Sequence, residues 1–407
     1  MWPSDHQTCT SSIDGPSPPS TPPLRHQCVA TLKGHTSYIS ALAVAGGHLF
    51  TGSSSGQIHR TSLNSLSHHQ TLPDEAMTSA GDGAVKALVA SSDKLITAHQ
   101  DHKIRVWRVD NTTGNRRITQ LATLPTLSDR AITLLLPRNH VRVRRHKTST
   151  WVHHIDAVSA LALSRDERLL YSVSWDRTLK IWRTADFKCL ESVADAHDDA
   201  VNAIALSGDG AIYTGSSDGK IKGYSLDATL MKHKAGINAL SMSADGVVLY
   251  SGASDALICS WKSDGSGGMA AVAALRGHGK AVLCLAAAAD HVVCSGSADQ
   301  TVRVWRGNGK SSYECLAILE GHRGPIKCIT VHTCSHPSSN TCLLYSAALD
   351  CDIKRQRYTY SAAHVPKSEL FGFNLKQVSN ISRDVAGIDA EGDASEMPKK
   401  LLLCDWY

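Results

Sequence analysis

The sequence predicts a closed all-β ring of seven blades, and three observations carry that prediction. The first is a pattern that recurs seven times: TGSSSGQIHRT, TAHQDHKIRVW, SVSWDRTLKIW, TGSSDGKIKGY, SGASDALICSW, SGSADQTVRVW and SAALDCDIKRQ. Its fifth column is Asp in six copies (Asp101, Asp176, Asp218, Asp255, Asp299 and Asp350) and Ser55 in the first. Four residues earlier every copy has Ser or Thr, and six residues after the Asp four copies have Trp (Trp107, Trp182, Trp261 and Trp305). Thr61, Tyr224 and Gln356 are the departures at that last column. The second observation is an upstream anchor, a His followed four residues later by Val or Ile. It reads His35/Ile39, His154/Val158, His197/Val201, His233/Ile237, His278/Val282 and His322/Ile326. The second copy alone lacks the His and has Gly81 before Val85. The third is the texture of each copy, in which short alternating runs such as TVRVW and LKIW are broken by Gly, Asp and Ser turns, the signature of short strands.

One such unit has four strands and cannot bury both faces alone, whereas units stacked radially cover one another. The recurring hydroxyl, imidazole, carboxylate and indole N–H have a common physical role, since together they can form one buried hydrogen-bond chain that ties neighbouring strands. They also mimic the composition of a catalytic triad. Because the set recurs with a structural spacing and no copy is set apart, a structural network is the expectation. No G-x-S-x-G elbow, H-E-x-x-H or phosphate-binding loop stands beside it.

Taken along the chain, residues 1–23 are rich in Ser, Pro and Thr and read as a flexible arm. Ser17-Pro18 and Thr21-Pro22 fit proline-directed phosphorylation sites. The ring is expected over 24–360. Residues 361–407 read as a second tail without clear periodicity. The start of the chain has neither a basic nor an apolar signal region, and no run is long enough for a membrane helix. The twelve Cys include no C-x-x-C pair and mostly sit in apolar runs such as AVLCLA and HVVCSG. That usage fits a reducing compartment, cytoplasm or nucleus. Cys328, His332, Cys334, His336 and Cys342 gather metal-ligand types in the last copy, but Cys328 and Cys342 belong to strands, and no metal or cofactor is expected.

The copies are unevenly spaced. Asp101 to Asp176 spans 75 positions, against 42 for Asp176 to Asp218 and 37 for Asp218 to Asp255. The excess is the insertion 127–150. It holds Arg130, Arg138, Arg142, Arg144, Arg145 and Lys147 against Asp129 alone. That difference equals the whole formal charge of +5, so the remainder of the chain is neutral. Two readings stand: a basic projection that meets an acidic partner, or a solvated hairpin. No aromatics interleave with the basic run, which argues against single-stranded nucleic acid.

These repeats resemble the WD40 family, over about residues 28–360, and the resemblance implies a seven-bladed β-propeller. In that family the ring closes on a strand from the other chain end. Here Cys28-Val29-Ala30-Thr31-Leu32 would complete the last blade, which lacks an outer strand of its own. The strings TAHQDHKIRVWR, RRHK, WVHHIDAVSALAL, YSVSWDRTLKIWR, ALRGHGKAVLCL and CLAILEGHRGPIKC look further like plant WD40 proteins of the JINGUBANG type, regulators linked with pollen germination and growth.

The resemblance also implies a partner-facing rim formed by the residues flanking each anchor Val or Ile and the residue before each turn Asp. Carried over, it selects Tyr38, Lys86, Trp175, Asn202, Asn238, Leu283, Lys327 and Leu349. Trp175 either anchors an interface or folds over a neighbouring blade. The expectation is a non-catalytic adaptor that binds other proteins in plant signalling or transcription regulation. A substrate receptor of a ubiquitin ligase and an RNA-binding scaffold are the alternatives.

Overall fold

A computed structural model describes residues 25–63, 69–71, 78–79, 83–91, 93–109, 118–134, 140–144, 147–224, 228–263, 268–288, 291–308, 312–333 and 341–359. Seven antiparallel sheets stand side by side. Blade 1 consists of Ile39–Ala45, His48–Ser53, Gln57–Ser62 and the short Thr78–Ser79; blade 2 of Val85–Ala90, Lys94–His99, Ile104–Val109 and Ile118–Leu124. Blade 3 holds Val158–Leu163, Leu169–Ser174, Leu179–Arg183 and Cys189–Val193; blade 4 holds Val201–Leu206, Ile212–Ser216, Ile221–Gly223 and Ala228–Leu230. Blade 5 contains Ile237–Met242, Val248–Ala253, Ile258–Ser263 and Met269–Leu275; blade 6 contains Val282–Ala287, Val292–Ser297, Val302–Gly307 and Tyr313–Leu319. The first strand of each blade abuts that of the next, and the last of them, Ile326–Thr333, abuts Ile39–Ala45, so the ring is closed.

Closure uses both chain ends. Blade 7 takes Ile326–Thr333, Thr341–Ala348 and Ile353–Thr359 from one end and Arg25–Lys33 from the other. The two ends pair antiparallel from Arg25↔Thr359 to Leu32↔Ile353. Ala30 and Leu32 are buried there among Leu343, Tyr345 and Ile353. Pairing covers the outer edge of Ile353–Thr359, which would otherwise be bare. A fifth, unexpected strand, His69–Thr71, joins the outer side of Arg25–Lys33 in parallel.

Blades adhere through apolar faces. The seven anchors Ile39, Val85, Val158, Val201, Ile237, Val282 and Ile326 are fully buried. At ~1.5–3 kcal/mol for each fully buried Val or Ile, this inner ring alone is a large stabilising contribution. Four of the anchors, Val85, Ile237, Val282 and Ile326, meet a glycine of the preceding blade at close approach. A Cβ on Gly52 would lie 2.6 Å from Val85 Cγ1, and one on Gly252 would lie 2.6 Å from Val282 Cγ1. Glycine at those two positions is therefore a packing requirement.

The insertion contains a helix, Leu127–Leu134, which the sequence reading did not anticipate. Thr126 Oγ1 accepts the Asp129 N–H at 3.2 Å at its start, a side-chain N-cap. It is followed by the hairpin His140–Arg144 and Lys147–Thr150. Arg138 and Arg145 lie outside the described residues, while Arg142, Arg144 and Lys147 fall on the hairpin strands. Residues 1–23 and 361–407, with Ser17, Thr21 and the closing Leu401-Leu402-Leu403-Cys404, also lie outside. No helix among the described residues is long and apolar enough to cross a membrane.

Candidate functional site: the rim of the ring and its supporting chains

Beneath one rim of the ring run the hydrogen-bond chains that the repeat predicted. In blade 3, Trp182 Nε1 donates to Ser172 Oγ at 2.9 Å, and Ser172 Oγ meets His154 Nε2 at 2.8 Å. His154 Nδ1 then donates to Asp176 Oδ2 at 3.2 Å. This order of donors fixes the tautomer. Blade 6 repeats it with Trp305, Ser295, His278 and Asp299 (2.8, 2.7 and 2.8 Å). Blade 5 does so with Trp261, Ser251, His233 and Asp255. In blade 4 His197 links Thr214 and Asp218, and the Tyr224 hydroxyl stands 3.4 Å from Thr214 in place of the indole. In blade 7 His322 links Ser346 and Asp350, with Gln356 where Trp would be.

Each carboxylate also caps its turn. Asp176 accepts the N–H groups of Ile155 and Thr178. That capping holds the next residue in the left-handed region: Arg177 at φ 69°, Ala256 at 64° and Gln300 at 71°. Burial holds the His154, His197, His278 and His322 imidazoles below the ordinary range, against the pull of their carboxylates. Burial alone would raise Asp299, but hydrogen bonds from Thr301 and His278 bring it down to about 2. The joining hydroxyls of Ser172, Thr214, Ser251, Ser295 and Ser346 are fully buried. They serve the sheet and have no face toward solvent.

Two blades depart from this pattern. Blade 2 has no loop His, yet His99 from its second strand supplies the imidazole, Nε2 to Thr97 Oγ1 at 2.7 Å and Nδ1 to the Gly83 carbonyl at 3.1 Å. Trp107 donates to the same Thr97. Asp101 belongs to the copy that lacks a loop His. It forms a bidentate pair with Arg105 instead, at 3.1 and 2.6 Å, because no loop imidazole reaches it. The signal for His99 was its place in TAHQD, two residues before Asp101. In blade 1, His35 Nε2 meets Thr51 Oγ1 at 2.7 Å, and Ser55 replaces the carboxylate. Burial and the charge of His59 hold His35 at about 3, and burial holds His99 at about 4.

The rim itself is produced by a bulge. In all seven blades the first and second strands slip register directly after the anchor, between Ile39/Ala41, Val85/Ala87, Val158/Ala160, Val201/Ala203, Ile237/Ala239, Val282/Cys284 and Ile326/Cys328. A bulge leaves its extra residue unpaired and re-aims the side chain. The extra residues are Ser40, Lys86, Ser159, Asn202, Asn238, Leu283 and Lys327.

Four of them form latches to the next blade. Ser40 Oγ donates to the Val85 carbonyl and Ser159 Oγ to the Val201 carbonyl. Asn202 Nδ2 donates to Ile237 O at 2.8 Å and Asn238 Nδ2 to Val282 O at 2.9 Å. The same amides also donate to Ser217 and Ser254. Asn202 and Asn238 stand on the rim as expected, but their N–H groups are engaged within the ring.

The remaining rim residues keep exposure. Trp175 is 40% exposed, with Lys86 Nζ 4.9 Å above its ring centroid. Thus Trp175 both meets the neighbouring blade and presents area to solvent. Leu349 is 44% exposed, Lys327 is exposed, and Tyr38 and Leu283 are half-buried. Burial pushes the Lys86 ammonium down, and the charge of Lys327 adds to it. Among the described residues no carboxylate pairs with either lysine. Of the Cys/His group in blade 7, Cys328 lies 3.8 Å from the Ile39 carbonyl, at the opposite end of its hairpin from Cys342. Cys334 and His336 lie outside the described residues.

The family described as WD domain, G-beta repeat matches residues 26–60, 145–183, 187–225, 224–262, 270–306 and 313–354. Blade 2, with its substituted imidazole, falls between those matches although its four strands are complete. Among curated proteins, Protein ROOT INITIATION DEFECTIVE 3 of Arabidopsis thaliana is 31% identical over 104 residues. That alignment spans 23% of this chain and 23% of the relative's length.

Proposed function

The chain belongs to the WD40 repeat family, and from that premise we propose that it is a non-catalytic adaptor whose rim binds other proteins. The observation that carries the reading is Trp175. A large aromatic at a turn tip, 40% exposed and flanked by a half-buried lysine, is the type of residue on which binding energy concentrates. The mechanism is presentation, with a closed ring holding several small surfaces at fixed separations so that partners meet at high effective concentration. In blades 3 to 7, where the His, Ser/Thr and Asp set is complete, its members are engaged with one another in holding strands together.

The ring is taken to extend over 24–360, with 1–23 and 361–407 as appended segments and 127–150 as a basic projection. A role in plant signalling or transcription regulation, including control of pollen germination and growth, rests on the JINGUBANG-type resemblance. That role places the protein in cytoplasm or nucleus. Trp175→Ala in the full chain tests the rim. Its melting temperature should match that of the wild type, while partner capture from plant extract falls at least about tenfold, as loss of a binding hot spot implies. An unchanged capture profile, or a ring that no longer folds, would refute it.

A further inference from the structure

Six blades hold an anion at the turn between their second and third strands, and one does not. In blades 3 to 7 the carboxylate takes the His Nδ1–H, the N–H after the His (Ile155, Asp198, Lys234, Gly279 or Arg323) and the N–H two residues beyond the Asp. In blade 2 Asp101 takes Arg105 and the Lys103 N–H. Blade 1 builds the same turn, with Gly56 at φ 80° in the left-handed place, but Ser55 stands where the carboxylate would be.

The donors remain without it. His35 is 7% exposed, and its Nδ1 is buried with no hydrogen-bond partner. With Thr51 held at Nε2, Nδ1 is the nitrogen that carries the proton in the other blades. A second imidazole, His59, lies edge-on to it with ring centroids 4.3 Å apart. Three hydroxyls complete the wall: Ser55 Oγ is 3.0 Å from Ser53 Oγ and 3.0 Å from Ser37 Oγ. A buried imidazole N–H without a partner and a cluster of hydroxyls about a missing carboxylate make a socket for an oxyanion.

We propose that blade 1 is built to receive a phosphoryl group on Ser55. Of the three serines, Ser53 is fully buried and Ser37 is half-buried, whereas Ser55 is exposed and occupies the Asp position. A protein kinase transfers the terminal phosphoryl of a nucleoside triphosphate. The Ser55 Oγ–P bond forms, the bond from that phosphorus to the departing nucleoside diphosphate breaks, and the hydroxyl proton leaves to the kinase's base. The phosphoserine brings a charge of about −1.5 to −2 and three strong acceptors. His35 Nδ1–H and the N–H groups of Thr36 and Gln57, the counterparts of the donors above, would receive it. Blade 1 then matches the other six, and the modification fastens the turn whose Ser54 N–H holds the rim carbonyl of Tyr38.

The test uses the full chain with phosphoserine installed at position 55 by stop-codon suppression, beside phosphoserine at 54, Ser55→Asp and the unmodified protein. The ¹⁵N resonances of His35 are followed against pH, and the melting temperature is recorded. Phosphoserine 55 and Ser55→Asp should raise the His35 titration midpoint by at least ~1 unit, as a nearby opposite charge does, and should raise the melting temperature. Phosphoserine 54 should do neither. An unmoved His35 with phosphoserine 55, or a lowered melting temperature matching the position-54 control, overturns the proposal. A saturable His35 response of the unmodified protein to inorganic phosphate also overturns it, because the site would then serve a free anion. Phosphopeptide mapping of protein isolated from its own cells should find Ser55 occupied; phosphate confined to Ser17 and Thr21 would exclude its use.

Discussion

Lowering the pH from 7.5 to 5.0 should weaken the ring by about 4 kcal/mol through His35 and His99 alone. Both imidazoles have an ordinary value of 6.5, and burial pushes them to about 3 and about 4 in the folded chain. The folded state therefore binds fewer protons than the unfolded state between those limits, and stability falls as the pH falls. Above pH 6.5 neither state is protonated and the difference vanishes. At pH 5.0, 1.5 pH units below the unfolded value, the folded imidazoles are still neutral. Each then costs ~1.36 kcal/mol per unit over that interval, or about 2 kcal/mol. Solvent screening takes little from this, since His99 is fully buried and His35 nearly so.

His154, His197, His278 and His322 act in the same direction. The assay is urea unfolding followed by tryptophan fluorescence at pH 7.5, 6.0 and 5.0, for the wild type and His99→Gln. The substitution lowers stability at pH 7.5, because it breaks the bond to Thr97. It should also remove about 1.4 kcal/mol per pH unit from the slope between pH 6 and 5. Equal slopes in the two proteins would refute the assignment of His99 as a buried neutral base.

Two further outcomes concern the frame. Deleting residues 24–33 removes the strand that pairs with Ile353–Thr359 and uncovers Leu343, Tyr345 and Ile353, so the whole ring should lose cooperative unfolding; an unchanged thermal transition would contradict closure by that strand. Ala256→Gly relieves a non-glycine residue at φ 64° and should stabilise by about 1 kcal/mol, read as a higher urea midpoint; a lower midpoint would mean that the Ala256 side chain packs in a way that offsets its strain.

Much of this architecture was legible in the sequence because it rests on recurring spacings. The Asp, Ser/Thr and Trp columns located every second and third strand, and the anchors located every first strand. The unpaired run Cys28–Leu32 identified the closing strand. What escaped was of three kinds. The bulge after each anchor is a property of pairing between strands, so no single strand discloses it. That is why Asn202 and Asn238 read as partner contacts, although their amides bind Ile237 and Val282. The imidazole of blade 2 was hidden by position, since His99 comes from a strand where the other blades use a loop. The helix Leu127–Leu134 carried a readable start in Thr126 and Asp129, overshadowed by the basic run that follows.

The latches give the ring a weakest place. Going round in chain order, blade 1 grips blade 2 through Ser40, blade 3 grips blade 4 through Ser159, and Asn202 and Asn238 extend the series to blade 6. Thiols of Cys284 and Cys328 stand 3.7 and 3.8 Å from the next carbonyls at the two remaining joints of that arc. Between blades 2 and 3 the corresponding residue is Lys86, which turns to the Trp175 ring instead of the Val158 carbonyl. The long insertion lies in the connection at this same joint, between Ile118–Leu124 and Val158–Leu163, so no short turn ties these two blades covalently. Mechanical load applied to the ring should therefore part it first between Val85–Ala90 and Val158–Leu163. Amide hydrogens along those two strands should exchange ahead of those at every latched joint.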